Sequence, residues 1–161
     1  MKVWFSLGAN LGDREAAIRE ACRRLGTFCD ELRLSSIYET EPMYVRRQPR
    51  FLNAVAAGTT RLEPRELLAA VHEVERSLGR DRSVERRRGP RTIDIDILLC
   101  EGRLGDDPDL ALPHPRLAER AFVLVPLLEL SPDLADPRTG EPYAAALARV
   151  GRAGVYSRPA G

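Results

Sequence analysis

Apolar and polar positions alternate most cleanly near the middle of the chain. Thr92, Asp94, Asp96 and Leu98 fall on one side, and Ile93, Ile95, Ile97 and Leu99 on the other. A period of two rich in β-branched residues predicts a strand over 92–99 with its isoleucine face buried. Shorter signals of the same kind predict strands over 2–7 (KVWFSL), 32–38 and 51–60 (FLNAVAAGTT). Between them, Ala17, Ile18, Ala21, Cys22 and Leu25 recur at helical spacing and stop at Gly26. Leu67, Val71, Val74 and Leu78 form the stripe of a second helix, opened by Pro64 and closed by Gly79. After the aspartate strand comes a loop with a short strand at Arg103-Leu104. Residues 118–130 then read as a buried helix interrupted by Pro126, 143–150 as an amphipathic helix, and the tail from about 151 as loose. The order β-α-β-β-α-β followed by helices predicts an α+β, ferredoxin-like sandwich with additional C-terminal helices. The 161 residues make one domain, large enough for a real core.

Asp94 and Asp96 change the picture from fold to chemistry. Same-face neighbours on a strand lie about 7 Å apart, so the two carboxylates project side by side. Two parallel carboxylates repel each other unless a cation lies between them. Magnesium suits such a pair, because it takes one or two carboxylates and completes its shell with water and substrate phosphates. Arg82, Arg86, Arg87, Arg88 and Arg91 crowd the approach around the Gly89-Pro90 turn. A bare Asp-x-Asp is more often a solvated strand face, but metal-binding acids beside phosphate-binding guanidiniums indicate phosphoryl transfer. Residues 83–89 form a loop long enough to close over phosphates, and residues 39–50 a second, proline-containing loop suited to a lid.

Composition narrows the partners. Lys plus Arg number 25 against 24 Asp plus Glu, so the balance implies neither a nucleic-acid nor a membrane partner. Cys22, Cys29 and Cys100 are odd in number and lack CxxC spacing, which argues against a disulfide framework and a zinc site. Without a signal peptide or an apolar run of membrane length, the expected location is cytoplasmic.

Three further features invite a ligand. Phe51 and Asn53 share a strand face, a flat ring beside an amide that donates and accepts; the pair would stack on a heterocycle and read its edge, or simply be core and strand edge. His114 is confined between Pro113 and Pro115, ahead of Arg116, Arg120 and Phe122. His72 and Glu75 lie three apart, off the helix stripe, where solvent exposure is the simplest expectation.

The strings GPRTIDIDIL and LPHPRLAERAFVLVPLLELSPDL together resemble the hydroxymethyldihydropterin pyrophosphokinases of folate synthesis. The resemblance runs from SLGANLGDR to about Val150. It implies transfer of the β,γ-diphosphate of ATP to 6-hydroxymethyl-7,8-dihydropterin with release of AMP. It implies two magnesium ions (Mg2+) held by Asp94 and Asp96, which with Arg82 and Arg91 form the catalytic set. It assigns ATP contacts to His72, Glu75, Arg80, Arg82, Arg91, Ile97, His114 and Arg120. Pterin contacts fall on Gly8, Thr40, Met43, Phe51, Asn53 and Phe122. The chain departs from some relatives at Arg88, where they carry an aromatic residue, and at Asp109 and Ala111, where they carry arginine or threonine. Action as a monomer on small molecules is the expectation. Two alternatives remain. An RNA-binding module shares the element order but would carry a K/R-G-F-G-F-like string, absent here. A two-metal phosphodiesterase normally needs more ligands than two histidines offer.

Overall fold

The computed structural model describes residues 1–41, 49–79 and 93–158. Strand β1 (Lys2–Ala9) is buried from Val3 onward, as a strand with neighbours on both sides must be. It pairs antiparallel with β4 (Phe51–Thr59) and with β5 (Asp94–Cys100). The sheet runs β5-β1-β4-β3-β8, where β3 is Tyr38–Thr40 and β8 is Val155–Ser157; β2 (Asp30–Leu34) pairs with β4 beside β3. This is a mixed α/β architecture on an antiparallel sheet.

Helices α1 (Arg14–Leu25) and α2 (Pro64–Ser77) cover one face. The Asp13 carboxylate caps α1 by accepting from the Ala16 N–H at 3.1 Å, and Pro64 with a Glu63–Glu66 capping box starts α2. Their stripes close on Val3, Phe5, Leu7, Ile95 and Ile97. Each such buried apolar side chain contributes roughly 1.5–3 kcal/mol. The opposite face holds Trp4, Val55, Ala57 and Leu98 against α3 (Ala121–Leu130) and α4 (Tyr143–Val150).

Five expectations need correction. The strand over 32–38 is two strands, because Ser35 turns inward: its N–H donates to Val55 O at 2.8 Å and its Oγ accepts from Val55 N at 2.9 Å. The loop after β5 folds into a hairpin of β6 (Gly105–Asp107) and β7 (Leu110–Leu112), with Arg103-Leu104 just ahead of it. The third helix starts at Ala121, after a 3-10 turn over Leu117–Glu119, and carries Pro126 inside it. The tail is not loose up to Ser157: β8 pairs antiparallel with β3. Glu39 and Thr40 likewise belong to a strand rather than to the lid loop. The rest of that loop, 42–48, and the arginine loop within 80–92 lie outside the described residues. Among the described residues no helix is long and apolar enough to cross a membrane.

Candidate functional site

Register builds the site. Asp94 pairs with Gly8, Gly8 with Asn53, and Asn53 with Tyr38, making one row across four strands. Asp96, Ser6 and Val55 form the next row, and Phe51 with Thr40 the row on the other side. Residues opposite one another in an antiparallel pair share a face. All of these therefore look away from α1 and α2, toward the side that α3 covers in part. Where α3 lies, the face is apolar; beyond it, the same face is carboxylate, amide, hydroxyl and ring.

The middle of this half-face is closely fitted. Asn53 is 5% exposed and its Nδ2 donates to Thr40 Oγ1 at 2.5 Å. A Cβ on Gly8 would stand 2.7 Å from Asn53 Oδ1, so glycine is required there by space. Phe51 and Phe122 are half-buried. The Arg120 guanidinium lies over the Phe122 ring, 5.6 Å from its centroid.

Among the described residues strand β5 is the last of the sheet, and its outer edge is held from two sides. Ile95, between the two aspartates, donates its N–H to Glu75 Oε2 at 2.8 Å. Leu98 O accepts from the His114 N–H at 2.8 Å. Glu75 is 1% exposed, contrary to the exposure its helix position suggests, because an edge N–H within reach needs an acceptor. His72, one turn earlier on α2, is exposed as expected.

His114 is a neutral imidazole. Burial, and then the Arg120 charge, bring its pKa down from 6.5 to about 4, against the pull of Asp94. Nδ1 accepts from the Arg116 N–H at 3.2 Å, which assigns the proton to Nε2 and makes that nitrogen a donor. The unfolded chain would bind this proton near pH 6.5 and the folded chain only near pH 4. Stability is therefore expected to fall as pH drops through that window, by at most about 1.4 kcal/mol per pH unit. His114→Asn should flatten this part of the Tm-against-pH curve; an unchanged slope between pH 6.5 and 5 would contradict it.

Met43, Arg80, Arg82 and Arg91 lie outside the described residues. Gly8, Thr40, Phe51, Asn53, Asp94 and Asp96 come together on one half-face, and His114 feels the charges of both Asp94 and Arg120. Ile97 does not join them: it is 6% exposed and packs in the core beneath α2. Sequence reasoning passed over Ser6, Asn10 and Tyr38. Ser6 follows from the parity of β1, since it alternates with Gly8. Asn10 is 1% exposed and donates from Nδ2 to Pro49 O at 3.1 Å. Tyr38 stands beside Asn53 and donates its hydroxyl to Glu129 Oε1 at 2.7 Å; burial, then that bond, push its pKa up to about 12. Among the described residues no three His, Cys, Asp or Glu enclose a metal. Two adjacent carboxylates alone suit a hard cation shared with a phosphate ligand, not a protein-only cage.

Residues 4–132 match the family model described as 7,8-dihydro-6-hydroxymethylpterin-pyrophosphokinase (HPPK). The chain is 42% identical over 155 residues to the folic acid synthesis protein fol1 of Schizosaccharomyces pombe, covering 95% of this chain and 21% of that protein. It thus spans about a fifth of that fungal relative. It is 43% identical over 130 residues to the 2-amino-4-hydroxy-6-hydroxymethyldihydropteridine pyrophosphokinase of Bacillus subtilis, covering 80% of this chain and 77% of that one. With the protein of the same name from Methylorubrum extorquens it shares 42% identity over 156 residues, covering 96% of each. Among solved structures it is similar to Plasmodium falciparum HPPK-DHPS in a triple-mutant form with SDX-DHP. There the TM-score is 0.67 at 14% identity, over 92% of this chain and 44% of that one, a likeness of fold.

Proposed function

The chain belongs to the 7,8-dihydro-6-hydroxymethylpterin-pyrophosphokinase family, and from that premise we propose that it transfers the β,γ-diphosphate of ATP to the hydroxymethyl group of 6-hydroxymethyl-7,8-dihydropterin, releasing AMP, in folate biosynthesis. The observation that carries this reading is the row Asp94, Gly8, Asn53, Tyr38: a carboxylate and a buried amide on one rigid sheet, with the half-buried Phe51 in the adjoining row. The sheet order supports a ferredoxin-like reading in which the second strand is broken into β2 and β3.

In this reading the pterin stacks between Phe51 and Phe122, with Met43 nearby, and the Asn53 amide reads its pyrimidine edge. One Asn53 N–H is spent on Thr40, which fixes the amide's orientation and leaves Oδ1 and the second N–H for the ligand. On the nucleotide side, His114 offers its Nε2–H and Arg120 its charge to phosphate oxygens. Arg82 and Arg91 neutralise charge developing on the transferred group, with Arg80, His72 and Glu75 flanking the nucleotide. Asp94 and Asp96 would hold magnesium, two ions in the family pattern, which when bound supplies charge neutralisation and lowers the pKa of the attacking hydroxyl. The hydroxymethyl oxygen attacks the β-phosphorus, the bond from that phosphorus to the α,β-bridging oxygen breaks with its electron pair leaving on AMP, and the hydroxyl proton passes to solvent water. Positioning and electrostatics provide the catalysis, with no covalent intermediate. Action as a monomer belongs to the same reading.

The test is product identity: with ATP, magnesium and the pterin, AMP should form in step with the pterin diphosphate. ADP, inorganic phosphate alone, or tight salt-sensitive RNA binding without pterin affinity would overturn the reading. Gly8→Ala gives a finer check. Its methyl must displace the Asn53 amide from Thr40, so pterin-analogue affinity is expected to fall about tenfold or more while nucleotide affinity holds. Titration of each ligand separately measures both.

A further inference from the structure

The C-terminal strand pairs with β3, and that contact is specific. Thr40 pairs with Val155, Glu39 with Tyr156 and Tyr38 with Ser157. Just beyond β3, the Glu41 N–H donates to Gly154 O at 3.0 Å, and the Tyr156 hydroxyl donates to Glu41 Oε1 at 2.9 Å. On the other side of the chain reversal, the Arg50 guanidinium lies 4.8 Å from the Tyr156 ring centroid. Arg50 also pairs with Glu39 at 3.7 Å and Glu41 at 3.8 Å. Tyr156 thus holds the end of β3 and the start of β4 at once, immediately next to the pair Thr40 and Phe51.

We propose that Tyr156 and β8 are a positioning clamp for the pterin pocket, setting the Thr40–Phe51 register and, through Thr40, the orientation of the Asn53 amide. The inference rests on the pterin reading of that half-face. Its physical basis is that β3 has three residues, too few to hold its own place as an edge strand. With β8 added, β3 has a partner on each side. The Arg158 guanidinium, 2.7 Å from Glu15 Oε1, ties the end of β8 to α1. Tyr156 is 41% exposed and lies outside both apolar cores, so its loss removes the clamp and not the fold.

The experiment compares wild type, Tyr156→Phe, Tyr156→Ala and a chain ending at Gly151. Pterin-analogue affinity, nucleotide-analogue affinity, Tm, and KM and kcat are read separately. Tyr156→Ala and the shortened chain are expected to weaken pterin-analogue binding and raise the pterin KM by about tenfold. Nucleotide affinity and kcat at saturating pterin should stay within twofold. Tyr156→Phe keeps the ring under Arg50 and loses only the bond to Glu41, so it should fall between. Unchanged pterin affinity in Tyr156→Ala overturns the inference. So does an equal loss of Tm and of both ligands, which marks a merely structural role. If the wild type itself binds no pterin, the functional reading fails instead, and the two failures are distinguished.

Discussion

Asp94→Ala and Asp96→Ala are each expected to lower turnover by about 10³-fold or more, the scale seen when a preorganised charge at the reacting centre is removed. Each change deletes an anionic ligand from a half-buried position on β5 without touching the isoleucines that pack against the helices. It also relieves repulsion between neighbouring carboxylates in the metal-free protein, so Tm without ligands should hold or rise slightly. The deciding measurement is Tm with and without magnesium plus a non-hydrolysable ATP analogue. At a hundredfold excess over Kd, a ligand specific to the folded state stabilises wild type by about 2.7 kcal/mol. Both variants should lose most of that gain. A solvated strand face predicts that activity survives, and a purely structural ion pair predicts lost stability with no magnesium response. Variants that keep both the gain and the activity would place the metal elsewhere.

Glu75→Ala should produce the largest loss of stability for a change near the site. It removes the acceptor of the Ile95 N–H and leaves a buried donor without its partner at 2.8 Å, a cost of about 1–3 kcal/mol. For a chain of this size that corresponds to a Tm drop of roughly 3–9 °C. Turnover should fall as well, since Ile95 sits between the two aspartates and its displacement moves both. Glu75→Gln retains an oxygen acceptor and should recover most of the stability. A Glu75→Ala protein that melts like wild type would show that the carboxylate does not hold the strand.

What could be read from the chain was whatever repeats locally. The parity of 93–97 located the two carboxylates and the buried isoleucines, but it fails at Leu98 and Leu99, which both pack under α3 where β1 and β5 slip register between Trp4 and Phe5. The stripe through Leu67, Val71 and Val74 located α2. The same parity on β1 contained Ser6 and went unused. The break between β2 and β3 depends on Ser35 bonding to Val55, twenty residues away. No local pattern encodes that, and Ser-Ser-Ile-Tyr simply reads as continuing strand. Glu75 was misjudged for the same reason: on its own helix it lies off the apolar stripe, and only the edge of β5 explains its burial. The tail from Gly151 is rich in glycine and arginine and looks unstructured until β3 offers it an edge. Gly8, Thr40, Phe51 and Asn53 were assigned by resemblance, and the register unites them on one half-face.

The alternation in β5 has a consequence for how this segment can vary over time. From Ile93 to Ile97 the odd positions fill the core and the even positions carry the carboxylates, so single substitutions there are confined by parity. Length is different. Inserting or deleting one residue ahead of Asp94, with the pairing to β1 kept, would turn the isoleucines to the open face and bury two charges beneath α2. Related chains should therefore keep the two aspartates, exchange the isoleucines only for other apolar residues, and differ freely in the length of the segments around the strand. Within it, gaps of one should be absent.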